Sequence, residues 1–236
     1  FFGILLALRA IKVPRREMPP QAHLWQGLRD GFSYAFGFTP IRYILLQLAV
    51  ISLMGMPYAV LMPIFARDIL MGGPGTLGML MASSGIGALV GAIFLATRKS
   101  ILGLGRWIVY GSCLFGCSIA AFSFSRAVWF SAAMLLISGF GMIVQMASSN
   151  TILQTIVEED KRGRVMSFFA FAIIGTAPLG SLFAGSLGEK IGVVPTVAIS
   201  GLICIAGALL FASRLPHIRK MVRPIYRSMG IGRTGG

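Results

Sequence analysis

Residues 149–181 read SNTILQTIVEEDKRGRVMSFFAFAIIGTAPLGS, and this stretch decides how the rest of the chain is interpreted. It opens on the polar end of a long apolar run, and residues 158–164 then form a short loop of acidic and basic residues. A second long apolar run follows and carries a Pro-Leu-Gly step at residues 178–180. A hydrocarbon core about 30 Å thick is crossed by about 20 apolar helical residues. The stretch therefore predicts two membrane-spanning helices joined by a charged loop.

Apolar runs of the same kind occur along most of the chain. It is 56% hydrophobic and 12% charged, whereas soluble domains carry about 25% charged residues. The runs lack the apolar–polar alternation of membrane β-strands. We therefore expect an all-α polytopic membrane protein built as a six-transmembrane-helix bundle. The predicted spans are residues 43–66, 76–97, 107–124, 128–155, 165–187 and 193–213.

Three flanking segments differ from the spans in composition. Residues 1–8 are apolar and run directly into basic residues, the reverse of a signal peptide, so we expect the end of a preceding span in a longer protein. Residues 9–42 form a predicted cytoplasmic linker, in which residues 24–36 favour an amphipathic helix in the membrane interface over a solvated linker helix. The basic tail, residues 214–236, is expected to be attracted to anionic lipid, with a nucleic-acid-binding tail as the alternative.

Lysine and arginine residues are distributed unequally between the two sides of the predicted membrane. Eighteen of the 21 fall on the side of the linker and the tail, and three fall on the other side. Because basic loops stay in the cytoplasm, both ends of the segment are predicted to be cytoplasmic. The same distribution argues against nucleic-acid binding, since the net charge of +14 forms no single face or stripe.

The sequence offers little for catalysis or metal binding. The seven acidic residues lie outside the predicted spans, and the two histidines lie in the linker and the tail. We find no Gly-rich phosphate loop, no zinc-binding His-Glu pair and no Ser-His-Asp set. Cys113, Cys117 and Cys204 lie in apolar runs and are interpreted as packing residues. We therefore expect no enzyme activity, no metal and no cofactor.

Uncharged polar residues inside the spans are the candidates for substrate contact. Gln145 and Ser149 lie one helical turn apart on the fourth span, as do Asn150 and Gln154 on another face. Because an amide in hydrocarbon needs a partner, these side chains should face protein or water. Gln145 has two open interpretations, a substrate-lining position and interhelical hydrogen bonding. Asn150 and Gln154 lie nearer the cytoplasmic end, where we expect a structural or gating role.

Prolines and small residues mark places where the helices bend or approach closely. Pro57, Pro63 and Pro178 each remove a backbone hydrogen bond inside a predicted span, which permits either a gating hinge or a static kink. Two runs of small residues predict close helix packing. They are Ser84, Gly87, Ala88 and Gly91 on the second span, and Gly180, Ala184, Gly185 and Gly188 on the fifth.

Several of these segments resemble one family of transporters. The helix end at residues 150–154, the RGR sequence at 162–164 and the PLG sequence at 178–180 resemble the region around the loop between spans ten and eleven of the major facilitator superfamily. The GLRDGF sequence at 27–32 and the TPIR sequence at 39–42 are similar to the segment before span seven in the branch of the enterobactin exporter and macrolide-type efflux proteins. The resemblance implies that residues 1–8 end span six, that the six full spans are seven to twelve, and that an N-terminal six-helix half is the missing partner.

This resemblance also implies a function. It is proton-coupled, secondary-active efflux of a small amphiphilic molecule, drug or siderophore, by alternating access in the bacterial inner membrane. Uptake, lipid flipping and a non-transporting assembly or regulatory subunit remain alternatives. Facing and depth place five side chains along the central cavity of such a transporter. They are Gln47, Met54, Ser83, Gln145 and Ser149.

The superfamily often places an acidic residue among the basic ones between spans eight and nine, and residues 97–106 contain no acid. We hypothesise that Arg98 and Lys99 instead pair with the acidic loop after the fourth span and latch the cytoplasmic side closed. Unchanged transport and cytoplasmic accessibility after neutralising both residues would exclude this latch. The loop residues assigned to the predicted gate are Glu158, Glu159, Asp160, Arg162, Gly163 and Arg164.

Overall fold

The computed structural model of the chain describes residues 22–98 and 100–228, and this part is built from helices. Six of them are long and apolar enough to cross a membrane, which confirms the expected all-α bundle of six transmembrane helices. Residues 1–8, Lys99 and the end of the basic tail, residues 229–236, lie outside the described residues. The helices are α1 (Ala22–Gly37), α2 (Thr39–Ile69), α3 (Pro74–Ala96), α4 (Leu104–Ser123), α5 (Val128–Ile156), α6 (Glu159–Ile191) and α7 (Val193–Ser228).

The basic tail is the segment where the structure adds most to the sequence pattern. The apolar run ends near residue 213, but α7 continues as a helix to Ser228. Leu215, Ile218 and Val222 are buried in a core cluster with side chains of α2, α4 and α5. Their spacing places them on one helix face. This buried face, rather than attraction to lipid alone, holds the first part of the tail against the bundle.

Two glycines with positive φ allow the chain to reverse between spans. Gly192 has φ 91° and is the single residue between α6 and α7. Gly103 has φ 92° and directly precedes α4. A side chain is strained in this left-handed region, so glycine permits these two short connections.

Glycine contacts set the order of the helices in the bundle. A β-carbon at Gly87 of α3 would lie 1.9 Å from the Leu136 carbonyl oxygen of α5. The helices α5 and α4 meet at Gly141 and Gly111, where a β-carbon on either glycine would lie 2.7 Å from the other's carbonyl oxygen. The backbones of α4 and α7 touch in the same way. Van der Waals packing at such small residues drives helix association in lipid. These crossings therefore hold four helices side by side in the order α3, α5, α4, α7.

The helix α1 packs against the basic end of the bundle. Its Ala35 is buried in the core cluster there, and Gly31 lies against Arg164 and Phe168 of α6. The Phe32 ring meets the Phe168 ring edge-on at 6.1 Å. One face of α1 therefore contacts protein. Contact with the bundle therefore accounts for part of the apolar face that the sequence predicted for α1.

Candidate functional site

Two widened helical turns lie against each other where α2 and α6 meet. One is the π-helical turn Ile51–Gly55 in α2, where the Met56 amide donates to the Ile51 carbonyl at 3.0 Å. The other is Phe171–Gly175 in α6. Each turn is followed by a proline, which lacks an amide hydrogen and excludes the carbonyl four residues before it. Such turns occur frequently at functional sites.

Pro57 and Pro178 therefore lie beside these two turns, where the regular hydrogen-bond pattern is interrupted. Pro63 differs, because it lies inside Tyr58–Ile64 with its side chain exposed. A third π-helical turn, Phe65–Ile69, follows it. The hinge and static-kink interpretations of all three prolines stay open.

A side-chain hydrogen bond joins the two facing turns. The Ser52 hydroxyl of α2 donates to the carbonyl oxygen of Ile173 in α6. Ser52 is almost fully buried. A backbone carbonyl in hydrocarbon needs a hydrogen-bond donor. The hydroxyl supplies one here and ties α2 to α6.

A narrow crevice with a cavity volume of about 10 Å³ lies beside this hydrogen bond, where α2, α5 and α6 meet. Three of its eight lining residues are methionines, whose side chains adapt to irregular apolar shapes. Its two polar side chains are Ser52 and Gln145. The remaining lining residues are Leu48, Ile51, Met56, Met142, Met146 and Ile173.

Gln145 and Ser149 are the two predicted lining residues that the structure joins directly. The Gln145 amide nitrogen lies 3.4 Å from the Ser149 hydroxyl, and both residues are buried. The backbone of Gln145 also lies against Gly111 of α4. Gln145 thus contributes to the helix crossing and to the wall of the crevice, while its side-chain hydrogen bond stays within α5, so both interpretations of its role stay open.

The other three predicted lining residues lie apart from this pair. Gln47 is buried, its side-chain oxygen approaches Gly207 of α7, and its amide nitrogen has no partner among the described residues. Met54 packs at the edge of the second core cluster. The Ser83 hydroxyl donates to the Met79 carbonyl of its own helix at 2.8 Å. Their assignment to a cavity stays a prediction.

Asn150 and Gln154 form a hydrogen bond along α5. The Gln154 amide donates to the Asn150 side-chain oxygen at 2.9 Å, with Gln154 exposed. This one-turn pair matches the spacing noted in the sequence. The bond lies within α5, so the proposed structural or gating role of the pair stays a prediction.

The predicted charge latch is not formed between the described residues. Lys161 pairs with Glu158 at 2.6 Å, and the Arg98 guanidinium lies 4.5 Å from the Trp107 ring centroid. Glu159 and Asp160 are exposed in the first turn of α6. Lys99 lies outside the described residues. The latch therefore stays a prediction for a conformation in which Arg98 lies close to these acidic residues.

The predicted loop at residues 158–164 is wrong for residues 159–164, which form the first turns of α6, and the basic residues there have different surroundings. The Arg162 Nε atom is buried and has no hydrogen-bond partner in the described part of the chain. Gly163 is exposed, and nothing lies within 4 Å of the position that a β-carbon would take there. The Arg164 stem packs against Gly31 of α1. Of these three residues, Arg164 contacts the linker helix, and none of them lines the crevice.

Comparison with known proteins identifies the family to which this chain belongs. A family model for the transmembrane secretion effectors of the major facilitator superfamily matches residues 1–226. The chain belongs to this family. The multidrug efflux pump Tap of Mycolicibacterium fortuitum is 23% identical over 223 residues, which make up 92% of this chain and 54% of that protein. The chain thus spans about half the length of this relative, and the resemblance to the superfamily is confirmed.

In this secretion-effector chain, the Ser52–Ile173 bond is the feature that sequence reasoning missed as a site. Ser52 is one of many serines in the spans, and its partner is a backbone carbonyl. The available signal was indirect: Pro57 and Pro178 each free a carbonyl in neighbouring spans. The carbonyl that Ser52 bonds, that of Ile173, is adjacent to the Ile174 carbonyl freed by Pro178.

Replacing Ser52 with alanine is expected to lower the free energy of unfolding by about 1–2 kcal/mol, because the Ile173 carbonyl loses its donor in the bundle interior. Titration of the purified protein with sodium dodecyl sulfate measures this change. Ser213→Ala is the matched control, since the exposed Ser213 hydroxyl bonds a carbonyl of its own helix. Equal effects of the two substitutions would contradict the bridging role.

Proposed function

We propose that the chain forms the C-terminal half of a secondary-active transporter that exports a small amphiphilic molecule by alternating access. The family match over residues 1–226 carries this proposal. The named efflux activity of the relative from Mycolicibacterium fortuitum supports the direction of transport. A partner half of six helices completes the cavity, in keeping with the 54% of that relative which the chain covers.

The uneven burial of the spans supports a missing partner half. In the most apolar windows of α3 and α6, 17% of the residues are buried within the chain, against 39–56% for the other four spans. Large apolar side chains such as Leu182 on α6 and Leu89 on α3 are exposed. We assign these two helices to the interface with the other half, with lipid covering what the interface leaves free.

The interior of the bundle supplies features that an amphiphile requires. Gln145, Ser149 and Ser52 offer uncharged hydrogen-bonding groups, and methionines offer adaptable apolar contact. The glycine crossings bring backbones into direct contact, so little side-chain interdigitation opposes small sliding motions. In the proposed cycle, the paired turns of α2 and α6 absorb the local change in helix geometry.

The proton is the coupling ion that we propose. All seven acidic residues lie in the flanking segments, in the loops or at helix ends. An ionisable group within the membrane is the usual carrier of a proton. We therefore assign the coupling carboxylate to the other half. The charge asymmetry supports a bacterial inner-membrane location with both ends of this segment in the cytoplasm.

Accumulation of ethidium and other amphiphilic dyes in cells with and without the full-length protein tests this function. We expect lower accumulation when the protein is present, and we expect a protonophore to abolish the difference. Gln145→Leu in the full-length protein should weaken the export, because it removes the amide from the crevice without removing its bulk. Ser213→Ala serves as a control for expression and insertion.

Three other outcomes of these transport assays would favour the alternative functions. Higher dye accumulation with the protein present indicates uptake. Movement of a labelled phospholipid between leaflets, without any effect on dyes, indicates lipid flipping. Equal accumulation across a broad panel, together with stable copurification of other membrane subunits, favours a non-transporting assembly role.

A further inference from the structure

A basic pocket lies between α4 and α7 at the end of the bundle that carries most of the charge. Its cavity volume is about 460 Å³. Four cations line it, three of them from the segment of α7 beyond the apolar run. The cations are Arg106, Arg219, Lys220 and Arg223. Tyr110 and the apolar side chains Val109 and Leu215 form part of the remaining wall.

No carboxylate neutralises these cations in the described part of the chain. The two ion pairs formed there, Arg67–Asp68 and Lys161–Glu158, both lie elsewhere. Four like charges around one space repel each other, so the pocket is electrostatically complementary to an anion. Guanidinium groups favour phosphate oxygens in particular, because their planar donors match them in pairs.

An apolar groove continues from the basic pocket along α4. It has a cavity volume of about 310 Å³ and lies between α4 and α5, and it shares Tyr110 with the pocket. Tyr110 is 57% exposed and Leu114, one turn further along α4, is 38% exposed. The other lining residues are Trp107, Gly111, Cys113, Cys117, Phe140 and Val144. Trp107 and Tyr110 are the residue types that favour the membrane–water interface.

We propose that the basic pocket binds the phosphate headgroup of an anionic glycerophospholipid, with an acyl chain lying along the apolar groove of α4. The basic pocket and the apolar groove meet at Tyr110. A phospholipid has the same arrangement, because its anionic headgroup is joined directly to hydrocarbon chains. Basic pockets between helix ends are a known mode of anionic-lipid recognition.

The site differs from the surfaces assigned to transport. It is lined by α4, α5 and α7, whereas the poorly buried spans assigned to the partner half are α3 and α6. The crevice beside Ser52 shares no lining residue with the pocket or the groove. The bound lipid therefore supports the outer face of the bundle and is not the transported molecule.

Native mass spectrometry of the full-length protein, purified in a neutral detergent, tests the proposal. The probes are dioleoyl phosphatidylglycerol and dioleoyl phosphatidylcholine, added in equal amounts. We expect preferential retention of phosphatidylglycerol. The triple variant Arg106→Gln/Arg219→Gln/Arg223→Gln should lower this preference on the order of 100-fold, since each cation near the surface contributes about 1 kcal/mol.

A charge-matched variant separates the site from bulk electrostatics. Arg29→Gln/Arg214→Gln/Arg227→Gln removes three exposed cations that line neither the pocket nor the groove. It should keep the preference. Equal losses in both triple variants, or no loss in the first, would overturn the site. Size-exclusion chromatography and a thermal scan of each variant verify that it is folded.

Two further arms distinguish a lipid from free phosphate. Leu114→Asn should weaken retention of the two-chain lipid, and glycerophosphoglycerol, the same headgroup without chains, should bind far more weakly than the lipid. Displacement of phosphatidylglycerol by an equal concentration of inorganic phosphate would show a simple phosphate site and overturn the lipid assignment.

Discussion

Replacing Gly87 with alanine is expected to separate α3 from α5 and to lower the free energy of unfolding by about 3 kcal/mol. The added β-carbon would lie 1.9 Å from the Leu136 carbonyl oxygen and 2.7 Å from its carbon, so the two backbones must move apart. Overpacking of this kind costs about 1–3 kcal/mol. We expect the upper end, because the obstacle is backbone and cannot change rotamer.

Gly85→Ala is the matched control on the same helix. Nothing lies within 4 Å of the position of its β-carbon, and alanine favours helix by about 1 kcal/mol over glycine. Unfolding titrations in sodium dodecyl sulfate should therefore show a loss for Gly87→Ala and no loss for Gly85→Ala. Gly139→Ala, whose β-carbon would lie 2.0 Å from the Ser84 carbonyl oxygen, tests the same crossing from α5. Similar stability of all three variants would refute the close approach.

The second large effect is expected at Gly180 of α6. Its added β-carbon would lie 2.2 Å from the carbonyl oxygen of Leu53, the group that Pro57 cannot bond. Gly180→Ala should push α2 away from α6 and break the Ser52–Ile173 bond nearby. We expect a loss of about 2–3 kcal/mol, together with a lower rate of dye export by the full-length protein.

A double-mutant cycle identifies the cause. If Gly180→Ala already breaks the bond between the turns, Ser52→Ala should cost little more in its presence, so the two effects should be less than additive. Gly185→Ala is the control and should be neutral in the unfolding assay, because nothing in this chain lies within 4 Å of its added β-carbon, although the sequence pattern predicted close packing there. Full additivity of Gly180→Ala and Ser52→Ala would show that the glycine contact and the hydrogen bond contribute independently, which would contradict this explanation.

The contrast between these sites shows how far the sequence pattern reaches. Gly87 and Gly180 were both expected to mark close packing, because small residues spaced four apart are typical of tight helix contacts. Their partners, Leu136 and Leu53, contribute backbone carbonyls and carry no distinguishing side chain. The pattern can therefore indicate which face of a helix is crowded, but not what crowds it.

Among the candidate site residues, Gln145 and Ser149 were predictable as a pair because both lie on one helix face. Gln47 shared their polarity, yet the structure turns it towards α7. The buried face of Leu215, Ile218 and Val222 was present in the sequence as a helical repeat. The density of basic residues around it favoured a lipid-attracted tail instead.

The amino-acid sequence by itself determined that this chain is an all-α membrane protein with six spans, because the transfer of about 20 consecutive residues into hydrocarbon is a local property. It also determined which faces carry small or polar residues, since the helical period is local. The tertiary structure alone decided that the turns of α2 and α6 share a hydrogen bond. It also decided that four cations of α4 and α7 surround one pocket beside an apolar groove. These features depend on which helices pack together, and in lipid that choice rests on backbone contacts between segments far apart in the chain.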